Sequence, residues 1–324
     1  MNRMASMLAQ REAGLPADAA IVPVTILTGF LGAGKTTLLN RVLTESHGAR
    51  LAVIVNEFGE LGVDGALVGD DASSVIELAN GCVCCATRGQ LLSSLYSLLA
   101  DDRKLDGILI ETSGLADPFP VIEELAHSTL ADHARLDGVI AVIDALNFDR
   151  NLDSAEAAYQ QIVGADILLV NKTDLVGGDI PGRIAKGLRK LNPQARIVDC
   201  AQCDVPLEVL FGAQRAPSRI LPRSTQVEHD HHHDGFASAV LAVDGALSGD
   251  RLAAWLGNLP ASVFRAKGFV RLQDTGGLVE VSAVGTRYAL QPAPHSASEA
   301  VTGLVVIGRA MPVADLRQSL ARCA

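Results

Sequence analysis

The stretch Gly29-Phe30-Leu31-Gly32-Ala33-Gly34-Lys35-Thr36 decides the fold. It fits G-x-x-x-x-G-K-[ST], the pattern of a phosphate-binding loop. Before it stands the apolar run Val24-Thr25-Ile26-Leu27, which reads as a short buried strand. After it, Leu38, Leu39, Val42 and Leu43 share one helical face, so a helix should start near Thr36. Strand, glycine-rich turn and helix are the context the motif requires. Glycine lets the backbone turn until successive N–H groups converge on phosphate oxygens, and the open end of the following helix adds free donors and a favourable field. Gly29, Gly32, Ala33, Gly34, Lys35, Thr36 and Thr37 are therefore expected around a nucleotide's phosphates. Lys35 should reach the β and γ phosphates, and the Thr36 hydroxyl should sit on Mg²⁺. A chance glycine-rich turn would leave the flanking elements unexplained.

Working outward, apolar and β-branched runs predict strands at 51–55, 75–78, 107–110, 139–143, 167–170 and 196–198. Helical patterns lie at 121–126 and 156–163, and Leu91, Leu92, Leu95, Leu98 and Leu99 form a helix stripe. Strands alternating with helices imply right-handed crossovers and a mostly parallel sheet covered on both faces. The expected class is α/β, a P-loop NTPase fold. Beyond residue 210 the pattern changes. Residues 212–235 are rich in Pro, Arg, Ser, His and Asp, as a linker is, and carry His229, His231, His232 and His233. Strands at 237–243, 263–272, 277–284 and 304–307 and helices at 249–256 and 312–320 then make a small C-terminal α+β domain of ferredoxin-like kind. The expected organisation is a flexible tail (1–22), a GTPase domain (23–211), the His-containing linker (212–235) and the C-terminal domain (236–324).

Bulk properties narrow the function. The 324 residues carry a net charge of −10, which argues against electrostatic binding to nucleic acid or anionic membrane. No apolar run is long enough to span a bilayer. Residues 1–20 hold Arg3, Arg11, Glu12 and Asp18 and lack the apolar core of a signal peptide, so a cytoplasmic address is expected. An amphipathic helix that forms conditionally is the other reading of this tail. Six cysteines in such a chain are not a disulfide framework; clustered thiols in a reducing compartment point to metal or redox chemistry.

Two further strand ends carry nucleotide chemistry. Asn171-Lys172-Thr173-Asp174 follows the run 167–170. A carboxylate there accepts from the two guanine donors, the ring N–H and the exocyclic amine, so Asp174 would select GTP, with Asn171 and Lys172 beside the base. The other reading is a polar turn with a helix cap. Glu111-Thr112-Ser113-Gly114 ends the run 107–110. Its expected place is beside the γ-phosphate and Mg²⁺, with the Gly114 N–H on the phosphate and Glu111 holding a metal-bound water. An N-capping turn before Pro118 is the alternative. Glu57, Glu60 and Asp117 are candidates, by location alone, for positioning the attacking water.

Asn80-Gly81-Cys82-Val83-Cys84-Cys85 gathers three thiols within four positions. On an extended backbone Cys82 and Cys84 share a face, and a turn must bring Cys85 round. Three soft thiolates suit Zn²⁺ or Cu⁺, and the missing fourth ligand leaves the open position that a transfer site needs. Buried cysteines or a redox pair are the bland readings. The histidine run either collects metal or is a solvated loop. Cys200-Ala201-Gln202-Cys203 reads as a buried strand-end pair near the base pocket or as a second thiol pair. Cys323 has no partner in sequence.

Together the five motifs, in order, resemble the CobW family of P-loop GTPases, relatives of the HypB and UreG metal-insertion GTPases. They are the phosphate loop through Thr37, Asn56-Glu57-Phe58-Gly59-Glu60, the segment from Asn80 to Cys85, Glu111-Thr112-Ser113-Gly114-Leu115-Ala116-Asp117-Pro118, and Asn171-Lys172-Thr173-Asp174. The resemblance covers about residues 23–210, and from 236 onward it is one of pattern. It implies slow GTP hydrolysis with Mg²⁺, a metal held by Cys82, Cys84 and Cys85 with Glu60 as a further candidate ligand, and delivery to a metal-dependent client protein. The histidine stretch here is shorter than is usual for such proteins. Zinc is the expected metal, with cobalt and iron as alternatives. The rival functions are a switch GTPase with structural thiols, a small-molecule kinase, which the guanine motif opposes, and a metal store with an idle nucleotide site. The sequence is silent on oligomeric state.

Overall fold

The computed structural model describes residues 21–45, 49–55, 74–77, 88–100, 105–127, 129–211, 235–293 and 302–324. Glu57, Glu60, Cys82, Cys84, Cys85 and residues 229–233 lie outside the described residues, as does the tail 1–20. Two compact units emerge, one ending at Cys203 and one running from Asp204, with Pro193–Arg196 grouped in the second.

The first unit opens with β1 (Val22–Gly29), α1 (Lys35–Thr44), β2 (Leu51–Val55), β3 (Ser74–Glu77), α2 (Arg88–Leu99) and β4 (Gly107–Glu111). It continues through α3 (Phe119–His127), β5 (Ala134–Asp144), α4 (Phe148–Ser154), α5 (Glu156–Gly164), β6 (Ile167–Asn171), α6 (Ile180–Leu191) and β7 (Arg196–Asp199). Among the described residues these strands form one sheet in the order β3-β2-β4-β1-β5-β6-β7. β1 is parallel to β4 on one side, with Leu27 opposite Glu111, and to β5 on the other, with Gly29 opposite Val142. The pairs β2–β3, β2–β4 and β5–β6 are parallel as well.

Every residue of β2, β4 and β6 is buried, as a sheet covered on both faces demands. On one face Val24, Ile26, Ala52, Ile54, Ile108 and Ile110 pack with Leu91, Leu95 and Leu98 of α2 and with Val121 and Leu125 of α3. Each of these Val, Leu and Ile side chains contributes about 1.5–3 kcal/mol by leaving water. The expected α/β P-loop architecture is the observed one. Its consequence for function is positional: the turns after β1, β4, β5 and β6 leave the same edge of the sheet, where open α/β folds bind ligands.

Some elements differ from the sequence reading. The run 139–143 is the end of an eleven-residue strand, because Ala134, Arg135 and Leu136 also pair with β1 before a register shift at Val24/Thr25. α6 was not read from the sequence, although Pro181 sits in its first turn and only Ile184 and Leu188 of it are buried.

The second unit contains α7 (Leu207–Phe211), β8 (Phe236–Ala242), β9 (Ala246–Leu247), α8 (Gly249–Gly257), β10 (Val263–Leu272), β11 (Leu278–Val284), β12 (Arg287–Pro292), β13 (Gly303–Arg309) and α9 (Val313–Ala321). Its sheet runs β12-β11-β10-β13-β8, antiparallel throughout, with β9 added parallel to β10. β13 lies between β8 and β10, giving the split β-α-β unit of a ferredoxin-like layout. Leu252 and Leu256 of α8 and Leu316 and Leu320 of α9 close one face over Leu241, Val270, Val281 and Leu304. β12 was missed because it is a half-exposed edge strand without an apolar run.

Candidate functional site

The phosphate-binding loop owes its shape to three glycines with positive φ: Gly29 (138°), Gly32 (72°) and Gly34 (116°). Two of them are also sterically compelled. A Cβ on Gly29 would meet the Val142 carbonyl oxygen, and one on Gly34 would meet the Asn171 amide. Gly32 faces open space, with nothing within 4 Å of a Cβ built there. Lys35 is buried, and its ammonium donates to the Gly29 carbonyl oxygen at 3.0 Å, spanning the mouth of the loop. Thr36 is half-buried in the first turn of α1, and Thr37 is exposed.

Beside the loop, β4 ends in Glu111, which is fully buried between Leu27 of β1 and Val55 of β2. Thr112 is fastened to β1 twice: its N–H donates to the Leu27 carbonyl oxygen at 2.9 Å, and its hydroxyl donates to the Thr28 hydroxyl at 2.9 Å. Gly114 is buried against the loop, where a Cβ would lie 2.8 Å from the Leu31 backbone nitrogen. Asp117 accepts from the Phe119 N–H at 2.9 Å, in the turn that leads into α3.

Sequence reasoning missed the residue that holds this turn. Gln161 of α5 is buried, and its side-chain nitrogen donates to the carbonyl oxygens of Gly114 at 3.2 Å and Ala116 at 3.1 Å. Its only signal was a glutamine on the apolar face of a helix beside Ala158 and Ile162.

The Asn171-Lys172-Thr173-Asp174 motif is built into the same surface. The Asn171 side-chain nitrogen donates to the Ala33 carbonyl oxygen at 2.9 Å, and its oxygen accepts from the Cys203 N–H at 2.9 Å. Lys172 adopts a left-handed conformation (φ 64°) and pairs with Asp144 at 2.8 Å. Asp144 also accepts from the N–H groups of Leu146 and Asn147 and from the Asn147 side chain. Burial alone would raise its pKa; the hydrogen bonds from Lys172 and Asn147 outweigh that and hold the carboxyl below its ordinary value. Thr173 donates to the Cys200 carbonyl oxygen through both N–H (3.2 Å) and hydroxyl (2.9 Å). Asp174 follows in a short 3₁₀ turn with an exposed side chain.

The chemistry of this set fits a magnesium-bound nucleoside triphosphate. An ammonium and a helix N-terminus face an open, glycine-walled turn, which suits phosphate. A hydroxyl follows one residue later, and a buried carboxylate stands one strand away. A second, exposed carboxylate stands on an adjoining turn, free to meet a base edge. Among the described residues no group of three or more His, Cys, Asp or Glu side chains could hold a metal ion. None of the described helices is long and apolar enough to cross a membrane.

The family model described as CobW/HypB/UreG, nucleotide-binding domain, matches residues 23–199, and that of the cobalamin synthesis protein cobW C-terminal domain matches 236–324. The zinc chaperone CobW of Pseudomonas aeruginosa is 34% identical over 95% of this chain and 93% of its own length. The zinc chaperone YjiA of Escherichia coli is 41% identical over 59% of this chain; the match spans 61% of YjiA, under two-thirds of its length. The zinc-regulated GTPase metalloprotein activator 1 of Schizosaccharomyces pombe is 37% identical over 55% of this chain and 45% of its own.

Proposed function

The chain belongs to the CobW/HypB/UreG family of P-loop GTPases, and on that footing we propose that it is a cytoplasmic zinc chaperone whose nucleotide state governs delivery of zinc to a client protein. The observation that carries this reading is the match along nearly the whole chain to a protein named a zinc chaperone. The Cys82-x-Cys84-Cys85 cluster gives it chemistry, since three thiolates are a donor set that zinc favours.

In this account GTP binds at the edge of the first sheet. The backbone of Gly29, Gly32, Ala33, Gly34 and Thr37 and the Lys35 ammonium receive the phosphates. The Thr36 hydroxyl and, through a water, Glu111 would hold Mg²⁺, which would supply positive charge to the β and γ phosphates. The Gly114 N–H meets the γ-phosphate, and Gln161 keeps Gly114 against the loop. Asp174 reads the guanine edge, with Lys172 and Asn171 ordering the base pocket. Zinc is cargo, taken by Cys82, Cys84 and Cys85 with Glu60 as a further donor. GTP raises zinc affinity at this cluster, and hydrolysis lowers it. Linkage requires the converse, that zinc tightens GTP by the same factor. Hydrolysis is slow alone and rises when the client is bound.

Cys82→Ala tests the assignment. The variant should fold and bind GTP as the parent does while losing zinc, measured by thermal unfolding, nucleotide titration and elemental analysis. A variant that unfolds instead would make the thiols structural.

A further inference from the structure

β5 ends in Asp144, whose side chain is 2% exposed. Four donors converge on this buried carboxylate. One oxygen accepts from the N–H groups of Leu146 at 2.9 Å and Asn147 at 3.2 Å. The other accepts from the Asn147 side-chain nitrogen at 3.0 Å and from the Lys172 ammonium at 2.8 Å. Three of the four donors belong to the turn directly after β5, so the carboxylate is fixed to its own strand independently of Lys172. Parallel pairing sets Asp144 beside Asn171, and the Ala145 N–H donates to the Asn171 carbonyl oxygen at 3.0 Å.

Lys172 is where the Asn171–Asp174 motif turns. Its φ of 64° lies in the left-handed region, which a residue with a Cβ holds only where contacts enforce it. Its carbonyl oxygen accepts from the Leu175 N–H at 3.1 Å. That bond closes the 3₁₀ turn Thr173–Leu175, on which Asp174 stands exposed. The residues on either side have ties of their own, Asn171 to Ala33 and Cys203, and Thr173 to Cys200. The side chain of Lys172 is tied through its ammonium to Asp144.

We propose that Asp144 is a positioning residue for base recognition: by holding the Lys172 ammonium it fixes the turn that aims Asp174 at the two donors of guanine. This role presupposes that the chain binds guanine nucleotides as set out above. An ion pair that merely braces β5 against β6 is the competing role, and the chemistry of the base separates the two. Inosine 5′-diphosphate (IDP) has the phosphates, the ribose and the ring N–H of GDP but lacks the exocyclic amine. A carboxylate aimed at both donors gains from the amine; one that has swung away does not. The phosphate-binding loop meets the same groups in either ligand. Loss of aim therefore lowers the preference for GDP over IDP, whereas loosening of the sheet or the loop lowers both affinities by one factor.

The test titrates GDP and IDP into the full-length chain and into Asp144→Asn, Lys172→Met and the double variant, with folding followed by thermal unfolding. Asparagine keeps the shape of Asp144 without its charge, and methionine keeps the Lys172 stem without the ammonium. The parent should bind GDP about tenfold more tightly than IDP, the lower end of what a hydrogen bond to a charged group gives. Each single variant should lose most of that preference. The double variant should lose no more than either single one, because the two side chains act as a unit. Should Asp144→Asn fail to fold, Lys172→Met alone decides. Affinities for GDP and IDP that fall together, leaving their ratio at the parent's value, would overturn the proposal and make the pair structural. So would losses of preference that add in the double variant. A parent chain that does not prefer GDP would sink the reading of Asp174, and the role of Asp144 with it. A preference present in the parent and unchanged in the variants sinks the role of Asp144 alone.

Discussion

The Asn171 side-chain nitrogen donates to the Ala33 carbonyl oxygen at 2.9 Å, tying the end of β6 to the phosphate-binding loop. The other half of the same amide accepts from the Cys203 N–H at 2.9 Å. One buried side chain therefore sets the spacing between the glycine-rich loop after β1, the Asn171–Asp174 turn and the turn after β7. In the proposed function Asn171 acts through these backbones, as a positioning residue.

Asn171→Ala removes a partner from two buried backbone groups, each worth about 1–3 kcal/mol when left unsatisfied. The variant should unfold at lower temperature and bind GTP and GDP more weakly, by similar factors. Thermal unfolding with titration of both nucleotides checks this. Unchanged affinity would show that the loop keeps its place without the amide.

Gln161→Leu should separate the two nucleotides. Leucine fills much of the same volume but gives the Gly114 and Ala116 carbonyls no donor. The turn then loosens from the loop, and the interaction lost is the one with the γ-phosphate. GTP affinity should fall by about tenfold, a single hydrogen bond's worth at the upper end, while GDP affinity changes little. Equal losses for the two nucleotides would contradict the role given to Gly114.

The pairing of Lys172 with Asp144 predicts a pH dependence with a definite sign. The Asp144 carboxyl lies below its ordinary value of 3.8 in the folded chain. Its contribution to stability is therefore complete above that value and is lost as the pH falls through the lower, folded-state pKa. The parent chain should lose stability below about pH 4 more steeply than Asp144→Asn does. Denaturant unfolding of both across the acid range measures the difference. Parallel curves would mean that the pair contributes nothing.

The legible part of the site was the part whose meaning is local. Gly29 to Thr36 carries its geometry in its own glycines, and the buried strand before it places the loop at a sheet edge. The parallel sheet followed from apolar runs at regular spacing, since strands covered on both faces need no polar alternation. Gln161 and Asp144 were not legible because their partners come from other elements. A glutamine becomes a clamp only once the turn after β4 lies beneath it, and the aspartate that ends β5 meets Lys172 only because β6 lies beside it in the sheet. Cys200 and Cys203 were visible as a pair, but the contact of Cys203 with Gly34 depends on a sheet order in which strands distant in sequence become neighbours. β12 escaped notice because an edge strand with one wet face has no continuous apolar run.

The central claim is that nucleotide state sets zinc affinity. The direct measurement is a competitive zinc titration of the full-length chain, with Mg²⁺ and a non-hydrolysable GTP analogue in one arm and Mg²⁺ and GDP in the other. The account predicts tighter zinc binding with the GTP analogue, by about five- to a hundredfold, the range of ordinary coupling free energies. Equal zinc affinity in the two arms would contradict it.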